Sequence, residues 1–353
     1  MRRSVVSLLF VAAAGACTAP RAPPAPLLPA PAVAMPRPYR QRLAVALARN
    51  TTCVGCHEQE AAEWRGSMHR HAFDNPAFQA ALAFEPSPFC RGCHAPESDA
   101  ARAPEPAVAA LGVSCVTCHV TDEDGAVLAA PSPRRGQRAA PHAVLRSAAF
   151  AQTAGCASCH EFAFPAAPHD DDDAHFMQTT LREHARSPAA AEACASCHMP
   201  LVEGRRSHAF AETRDAAWLK DRLAVHVELV EGRSLRLTLT QRTPGHAFPT
   251  GDLFRRLEVG AERRDDGDRV LGREVRHLAR RFQLVPGHSA RALLGDDRVF
   301  DTPQVVDLPI APGAGERVAW WVTYQRVATV FAGDDPAAAK IESEVPLHDG
   351  VLP

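Results

Sequence analysis

After residue 218 apolar and polar positions alternate with period two. The runs are LAVHVELV at 223–230, SLRLTLTQ at 234–241, RRLEVGAE at 255–262 and RVAWWVTY at 317–324. Such alternation, broken by Glu231-Gly232, Asp265-Asp266-Gly267 and Pro312-Gly313, predicts strands joined by turns and hence a small antiparallel, sandwich-like all-β domain over 218–353. Trp320 and Trp321 then point to opposite faces of one strand. Residues 40–217 lack this period and predict a mainly α, loop-rich domain, so the chain reads as multidomain. Within it the proline-free stretch His57–His71, rich in Ala and Glu, predicts a helix. Residues 1–17 place Arg2 and Arg3 before an apolar run from Val5 to Ala14, the layout of an export signal. Cys17 follows Ala14-Gly15-Ala16 and suits lipidation of a lipoprotein-type signal, although these small residues also suit ordinary cleavage. Eight prolines between Pro20 and Pro38 make 18–39 an extended tether at ~3.1 Å per residue.

Composition narrows the function. The 353 residues are 46% hydrophobic and carry a net charge of -2, which leaves no broad basic surface for nucleic acid or anionic lipid. The membrane is expected only through an anchor at Cys17. The chain has 11 cysteines and 17 histidines beside 2 tyrosines and an aromatic share of 6%, so something other than aromatic side chains is expected to fill much of the interior.

Apart from Cys17, every cysteine belongs to one pattern. The pairs are Cys53/Cys56, Cys90/Cys93, Cys115/Cys118, Cys156/Cys159 and Cys194/Cys197, followed directly by His57, His94, His119, His160 and His198. Chance placement of all five histidines is on the order of 10⁻⁷ at this histidine content. Two thiols three positions apart suit thioether attachment to one porphyrin, with the adjacent histidine reaching its iron as proximal ligand. Zinc pairs need no histidine at the next position, and dithiol redox motifs occur singly. Five disulfides would not all space their cysteines this way. The pattern therefore predicts five covalent haem c groups. Intervals of 37, 25, 41 and 38 residues between first cysteines exclude a strict repeat. Five porphyrins within the 146 residues from Cys53 to His198 must lie close together, and their flat apolar surfaces account for the few aromatics.

The stretches CVGCHEQEAAEWRGSMHRHAF, GVSCVTCH, CASCHEF, MQTTLREHARSP before CASCHMP, and GHAFPTG resemble the multihaem cytochromes c of the nitrification type. That broad group contains tetrahaem electron carriers and relatives of hydroxylamine oxidoreductase, and the likeness spans roughly residues 50–255. The resemblance implies that His69, in Trp64-Arg65-Gly66-Ser67-Met68-His69, is a distal iron ligand. One helix cannot fold His57 and His69 onto the same iron, so His69 is expected to serve a neighbouring haem. His71 competes with it. Similar cues mark His142, His208 and His246, the last in a loop that would reach from the second domain to a haem of the first. The alternative for each is a hydrogen-bonded histidine without iron. His184 stands where the likeness leads one to expect tryptophan. His226 and His277 fall in predicted strands, and His288 and His348 in predicted loops. Met199 directly follows His198 and cannot easily reach the same iron. The run His169–His175, with four aspartates, reads as a solvated acidic loop, a calcium site without the usual glycine, or a docking patch for a basic partner.

These readings favour an exported protein that carries single electrons along haems between redox partners, such as other cytochromes or quinol-linked donors, more an electron-transfer protein than a catalyst. Its expected location is the periplasm or the periplasmic or outer face of a membrane. The alternative is an oxidoreductase with one open haem acting on a small nitrogen or sulfur compound. No CxxCK motif supports it, and only Tyr39 and Tyr324 are available for tyrosine roles. Haem density disfavours a non-redox scaffold.

Overall fold

A computed structural model describes residues 34–121, 126–131, 140–165, 167, 173–210, 215–285, 291–328 and 339–353. Residues 1–33, with the predicted export signal, Cys17 and most of the tether, lie outside the described residues, as do most of the acidic run and His288. The described residues belong to one compact unit, Val33–Pro353.

The region before residue 200 is built of short helices: α1 (Leu43–Cys56), α2 (Glu58–Arg65), α3 (Pro76–Phe84), α4 (Pro88–His94), α5 (Pro106–Ala109), α6 (Cys115–His119), α7 (Ala154–His160), α8 (Thr180–Arg186) and α9 (Cys194–His198). Local chemistry sets their starts. Asn75 accepts the backbone N–H groups of Ala77 and Phe78, and Ser87 that of Phe89, each followed by proline at the first helical position. The predicted helix over 57–71 is shorter than expected, because α2 ends at Arg65 and Gly66–Asp74 continues as turns. The expectation of a mainly α first part holds only in part. Strands β1 (Val127–Ala129) and β2 (Val144–Arg146) pair parallel, and β3 (Glu161–Ala163) with β4 (Phe176–Thr179) and β5 (Leu201–Val202) with β6 (Arg205–Arg206) pair antiparallel. Prolines and glycines between the motifs keep each helix too short to pack as a bundle.

Helix α10 (Ala216–Arg222), capped by Asp215, leads into the strands. All four predicted strands are present, as β7 (Leu223–Val230), β8 (Ser234–Gln241), β9 (Arg255–Asp265) and β14 (Glu316–Ala328). They are joined by β10 (Val270–Leu278), β11 (Arg280–Leu284), β12 (Arg291–Asp296), β13 (Gln304–Leu308) and β15 (Lys340–Leu352). One sheet runs β10-β9-β14-β15, another β13-β8-β7, and β11 pairs with β12, all antiparallel. Leu235, Leu237 and Leu239 of β8 share one core with Leu257 and Val259 of β9 and Val318 and Val322 of β14, so the two larger sheets close over a common apolar layer. Alternation produces this directly, since Arg236 between the buried leucines faces outward and pairs with Asp307 across the strands. His226 and His277 lie in strands as expected. His348 lies in β15 rather than a loop, with Nε2 2.8 Å from the Leu223 carbonyl.

Charged side chains join the strands to the helical region. Arg298 donates to Glu183 at 2.7 Å, and Arg280 donates to the carbonyls of Asp173 and Met177 at 3.1 and 3.2 Å. Ala34–Tyr39 also joins the fold: the Tyr39 N–H donates to Gly92 and Ser158 donates to the Pro36 carbonyl.

Two measurements check this packing. Leu237→Ala should lower unfolding free energy by about 2–5 kcal/mol, read as a lower denaturant midpoint at unchanged slope. In β9, hydrogen bonds from His277, Trp321 and Gln325 hold the Glu258 carboxyl at about 2. A depressed carboxyl contributes stability that is full above its unfolded value of about 4.3 and is lost as pH falls toward 2. Glu258→Gln should therefore flatten that acid limb in thermal melts across the same pH range.

Candidate haem centre

Each CxxCH segment ends or forms a short helix, α1, α4, α6, α7 or α9, with His57 just beyond α1 and the other four histidines as the last helical residue. Helical spacing sets the two cysteines of each pair one turn apart on the same face, as two thioethers to one porphyrin require. All ten cysteines are unbridged, and Cys56 and Cys197 are exposed. Glycine is required at position 92, where a Cβ would lie 2.2 Å from the Tyr39 ring.

Four of the five motif histidines face a second histidine at nearly one separation. Ring centres are 6.5 Å apart for His57 and His142, 6.1 Å for His69 and His160, 6.2 Å for His119 and His208, and 6.0 Å for His198 and His246. The second histidine in each pair is one that the sequence marks as a distal candidate. Two imidazole nitrogens each about 2 Å from a metal between them put ring centres roughly 6 Å apart. The spacing therefore fits an iron in all four places.

The ring nitrogens are oriented accordingly. Nδ1 of His94, His119, His208 and His246 lies 2.6 to 3.0 Å from a backbone carbonyl, of Ala72, Leu128, Arg206 and Ala247 respectively. An N–H at Nδ1 leaves Nε2 with its lone pair, the form that ligates metals. Desolvation also pushes His69 down to about 3, aided by neighbouring histidines, so that ring stays neutral.

His94 differs. Among the described residues no second histidine ring faces it. Phe78 stacks on it instead, with ring centres 3.8 Å apart and planes within 5°. Burial lowers its pKa, opposed by the Ala72 carbonyl and the Asp252 carboxylate. Nothing in the sequence singled out Phe78.

The remaining candidates fall away from iron positions. His71 is tied to Asp74 at 2.9 Å on the surface. His184 has Nδ1 2.9 Å from the Gly245 carbonyl and Nε2 2.9 Å from the Glu192 carbonyl, which leaves neither nitrogen for a metal. Tyr39 donates to the Phe89 carbonyl, and Tyr324 accepts from Arg255 at 2.9 Å.

The motifs also approach one another. Cysteine side chains of different motifs lie near enough for mutual electrostatic influence at Cys53 and Cys115, Cys93 and Cys159, and Cys156 and Cys194. Cys118 lies near enough to Cys156 and Cys159 for mutual electrostatic influence. Motifs one, three, four and five thus form a connected series, and motif two joins it at motif four.

Comparison with known proteins adds a family match and a fold likeness. The family model for cytochrome c554 and c-prime matches residues 52–120, about a fifth of the chain. The fold is similar to that of the penta-heme cytochrome c552 from Thermochromatium tepidum, with a TM-score of 0.62 at 19% identity over 90% of this chain and 100% of that one. A second structure, the putative ApaA protein from Bordetella pertussis, has a TM-score of 0.17 at 16% identity over 37% of this chain and 91% of that one, too low to carry weight. No curated protein matches. The five CxxCH motifs and the family match support a multihaem cytochrome c, with haem c as its cofactor and electron transfer as its function. No helix among the described residues is long and apolar enough to cross a membrane.

A glycine holds the turn that carries His69 in place. Gly112 has φ +52, and a Cβ there would lie 2.4 Å from the carbonyl oxygens of His69 and Arg70. The next residue, Val113, donates its N–H to the His69 carbonyl at 2.8 Å. Gly112→Ala should therefore displace the His69 turn and cost about 1–3 kcal/mol or more, visible as a lower melting temperature of the haem-loaded protein.

Proposed function

We propose that the chain is an exported multihaem cytochrome c that passes single electrons along five covalently bound haems between redox partners. When bound, the haems supply one-electron chemistry, which the protein tunes through axial ligands, burial and hydrogen bonds. The paired histidines carry the reading: four pairs with ring centres 6.0 to 6.5 Å apart, one member of each in a CxxCH motif. In it, His142 is the distal ligand opposite His57, His69 opposite His160, His208 opposite His119 and His246 opposite His198. The chain supplies the thioether cysteines, both axial nitrogens at four haems and one at the His94 haem, fixes ring tautomers through backbone carbonyls, and keeps water from the clustered motifs.

The partners are other cytochromes or quinol-linked donors. Cys56 and Cys197, both exposed, mark motifs one and five as the approachable ends of the series. Residues 1–17 direct export and Cys17 receives a lipid, so residues 18–39 tether a haem domain of 40–217 and a strand domain of 218–353 on the periplasmic or outer face. This is a protein of redox partners and not of nucleic acid.

A second reading, an oxidoreductase with one open haem acting on a small nitrogen or sulfur compound, is favoured by a single observation. Among the described residues His94 faces no second histidine and carries Phe78 on its ring.

Low-temperature electron paramagnetic resonance on oxidised, haem-loaded protein tests both. The expected result is five haems per chain with four low-spin irons, and one further high-spin iron for each of His142→Ala and His246→Ala. A high-spin signal in the parent that shifts with nitrite or hydroxylamine moves the reading to catalysis at His94. Fewer than five haems, or histidine variants with unchanged spin states, would remove the ligand assignment.

A further inference from the structure

The chain carries the same short element twice: Glu63-Trp64-Arg65-Gly66-Ser67 and Glu183-His184-Ala185-Arg186-Ser187. The two share only a glutamate, a ring residue after it and a serine three positions later. Their contacts nevertheless correspond one for one. Ser67 donates to the Trp64 carbonyl at 2.8 Å and Ser187 to the His184 carbonyl at 2.8 Å, which closes the same turn. The Trp64 indole N–H donates at 2.8 Å to the carbonyl of Val113, two residues before Cys115. Nε2 of His184 lies 2.9 Å from the carbonyl of Glu192, two residues before Cys194. Each ring thus holds the approach to one CxxCH motif.

The glutamates hold the other side. Glu63 accepts the backbone N–H of His208 at 2.8 Å, and Glu183 accepts that of Ala247, next to His246, at 3.1 Å. His208 faces His119, which follows Cys115, and His246 faces His198, which follows Cys194. In both copies the ring therefore grips the proximal side and the carboxylate the distal side of the same place. Each carboxylate is itself fixed by arginine, Glu63 by Arg205 at 2.7 and 2.8 Å and Glu183 by Arg298 at 2.7 Å. Around Glu183 the grip is closer still. Thr250 donates to it at 2.7 Å, so Glu183 holds the chain at both Ala247 and Thr250, just after His246.

We propose that this Glu-ring-x-x-Ser element is a two-sided clamp that sets a distal histidine opposite its own CxxCH motif. Glu63 and Trp64 are positioning residues for the His119/His208 pair, and Glu183 and His184 for the His198/His246 pair. The proposal rests on the reading of His208 and His246 as distal ligands. It also accounts for histidine at position 184, where tryptophan occupies the first copy. The ring is retained for a nitrogen directed at the carbonyl two residues before its own motif.

The test uses the full, haem-loaded chain with cyanide as probe, because cyanide reaches an iron only in molecules whose distal histidine is off it. Apparent affinity then rises with that fraction. Glu183→Gln preserves shape but sets an amide N–H₂ among donors. It should raise apparent cyanide affinity at one haem about tenfold with all five haems still attached. Trp64→Phe removes only the indole N–H and should loosen a different haem, so the double variant should show two labile irons beyond the parent's cyanide binding at the His94 haem. If Glu183→Gln does not load fully, Thr250→Val removes one donor from the same carboxylate and should move cyanide affinity in the same direction. His246→Ala separates the two levels. If it opens an iron to cyanide while Glu183→Gln, Thr250→Val and Trp64→Phe leave affinity at the parent value, the clamp is refuted and the ligand reading stands. If His246→Ala itself changes nothing, the ligand reading fails and the clamp falls with it.

Discussion

A CxxCH pentapeptide is complete for attachment and incomplete for ligation, since it brings two thiols and only one axial imidazole. On the proposed reading a second imidazole comes from elsewhere in the chain, at a ring separation that leaves room for a metal and little more. Four pairs meet that condition at 6.0 to 6.5 Å, and their partners are distant in sequence: His69 faces His160, His142 faces His57, His208 faces His119 and His246 faces His198. Each pairing closes a long loop, and together they interleave the segments between motifs. This explains why a region with short helices and few aromatic side chains holds one arrangement. On the proposed reading its interior is porphyrin, and the protein is the frame around it.

Precise placement of a ligand loop needs directional contacts, because apolar packing alone tolerates small shifts. Buried carboxylates supply them. Glu183 gathers Thr179, Thr250, Arg298 and the Ala247 N–H, and Arg298 together with the hydroxyls and nearby charges keeps its carboxyl lowered despite burial. Glu97 does similar work near the third motif, accepting from Thr117 at 3.0 Å and pairing with Arg42 at 2.9 Å. A buried pair of this kind adds little net stability over an apolar substitute, yet losing one partner costs about 3–5 kcal/mol. Such contacts are suited to specifying a position, which is what an axial ligand requires.

The strand region then has a role beyond its own core. Its loop between β8 and β9 carries His246, and the Arg298 that anchors Glu183 follows β12. His94 stands apart, half-buried, stacked on Phe78 and facing no second histidine among the described residues. On the proposed reading one haem site therefore differs in kind from four that resemble one another, and electron transfer and small-molecule chemistry are both compatible with that asymmetry.

The sequence by itself marked the candidate attachment sites, because thioether spacing and the adjacent histidine fall within five contiguous residues. It also determined the strands, because period-two alternation is a local signal, and it marked the four distal candidates. Which motif each candidate faces was decided only by tertiary structure, since contacts up to about a hundred residues apart leave no local trace. The solitary state of His94 and the stacking of Phe78 were likewise invisible, because both depend on what surrounds a ring in space. His184 shows the boundary between the two. Its sequence position suggested a ligand or a departure from pattern. The fold instead gave both its nitrogens to backbone carbonyls, a choice that depends on where Gly245 and Glu192 are brought.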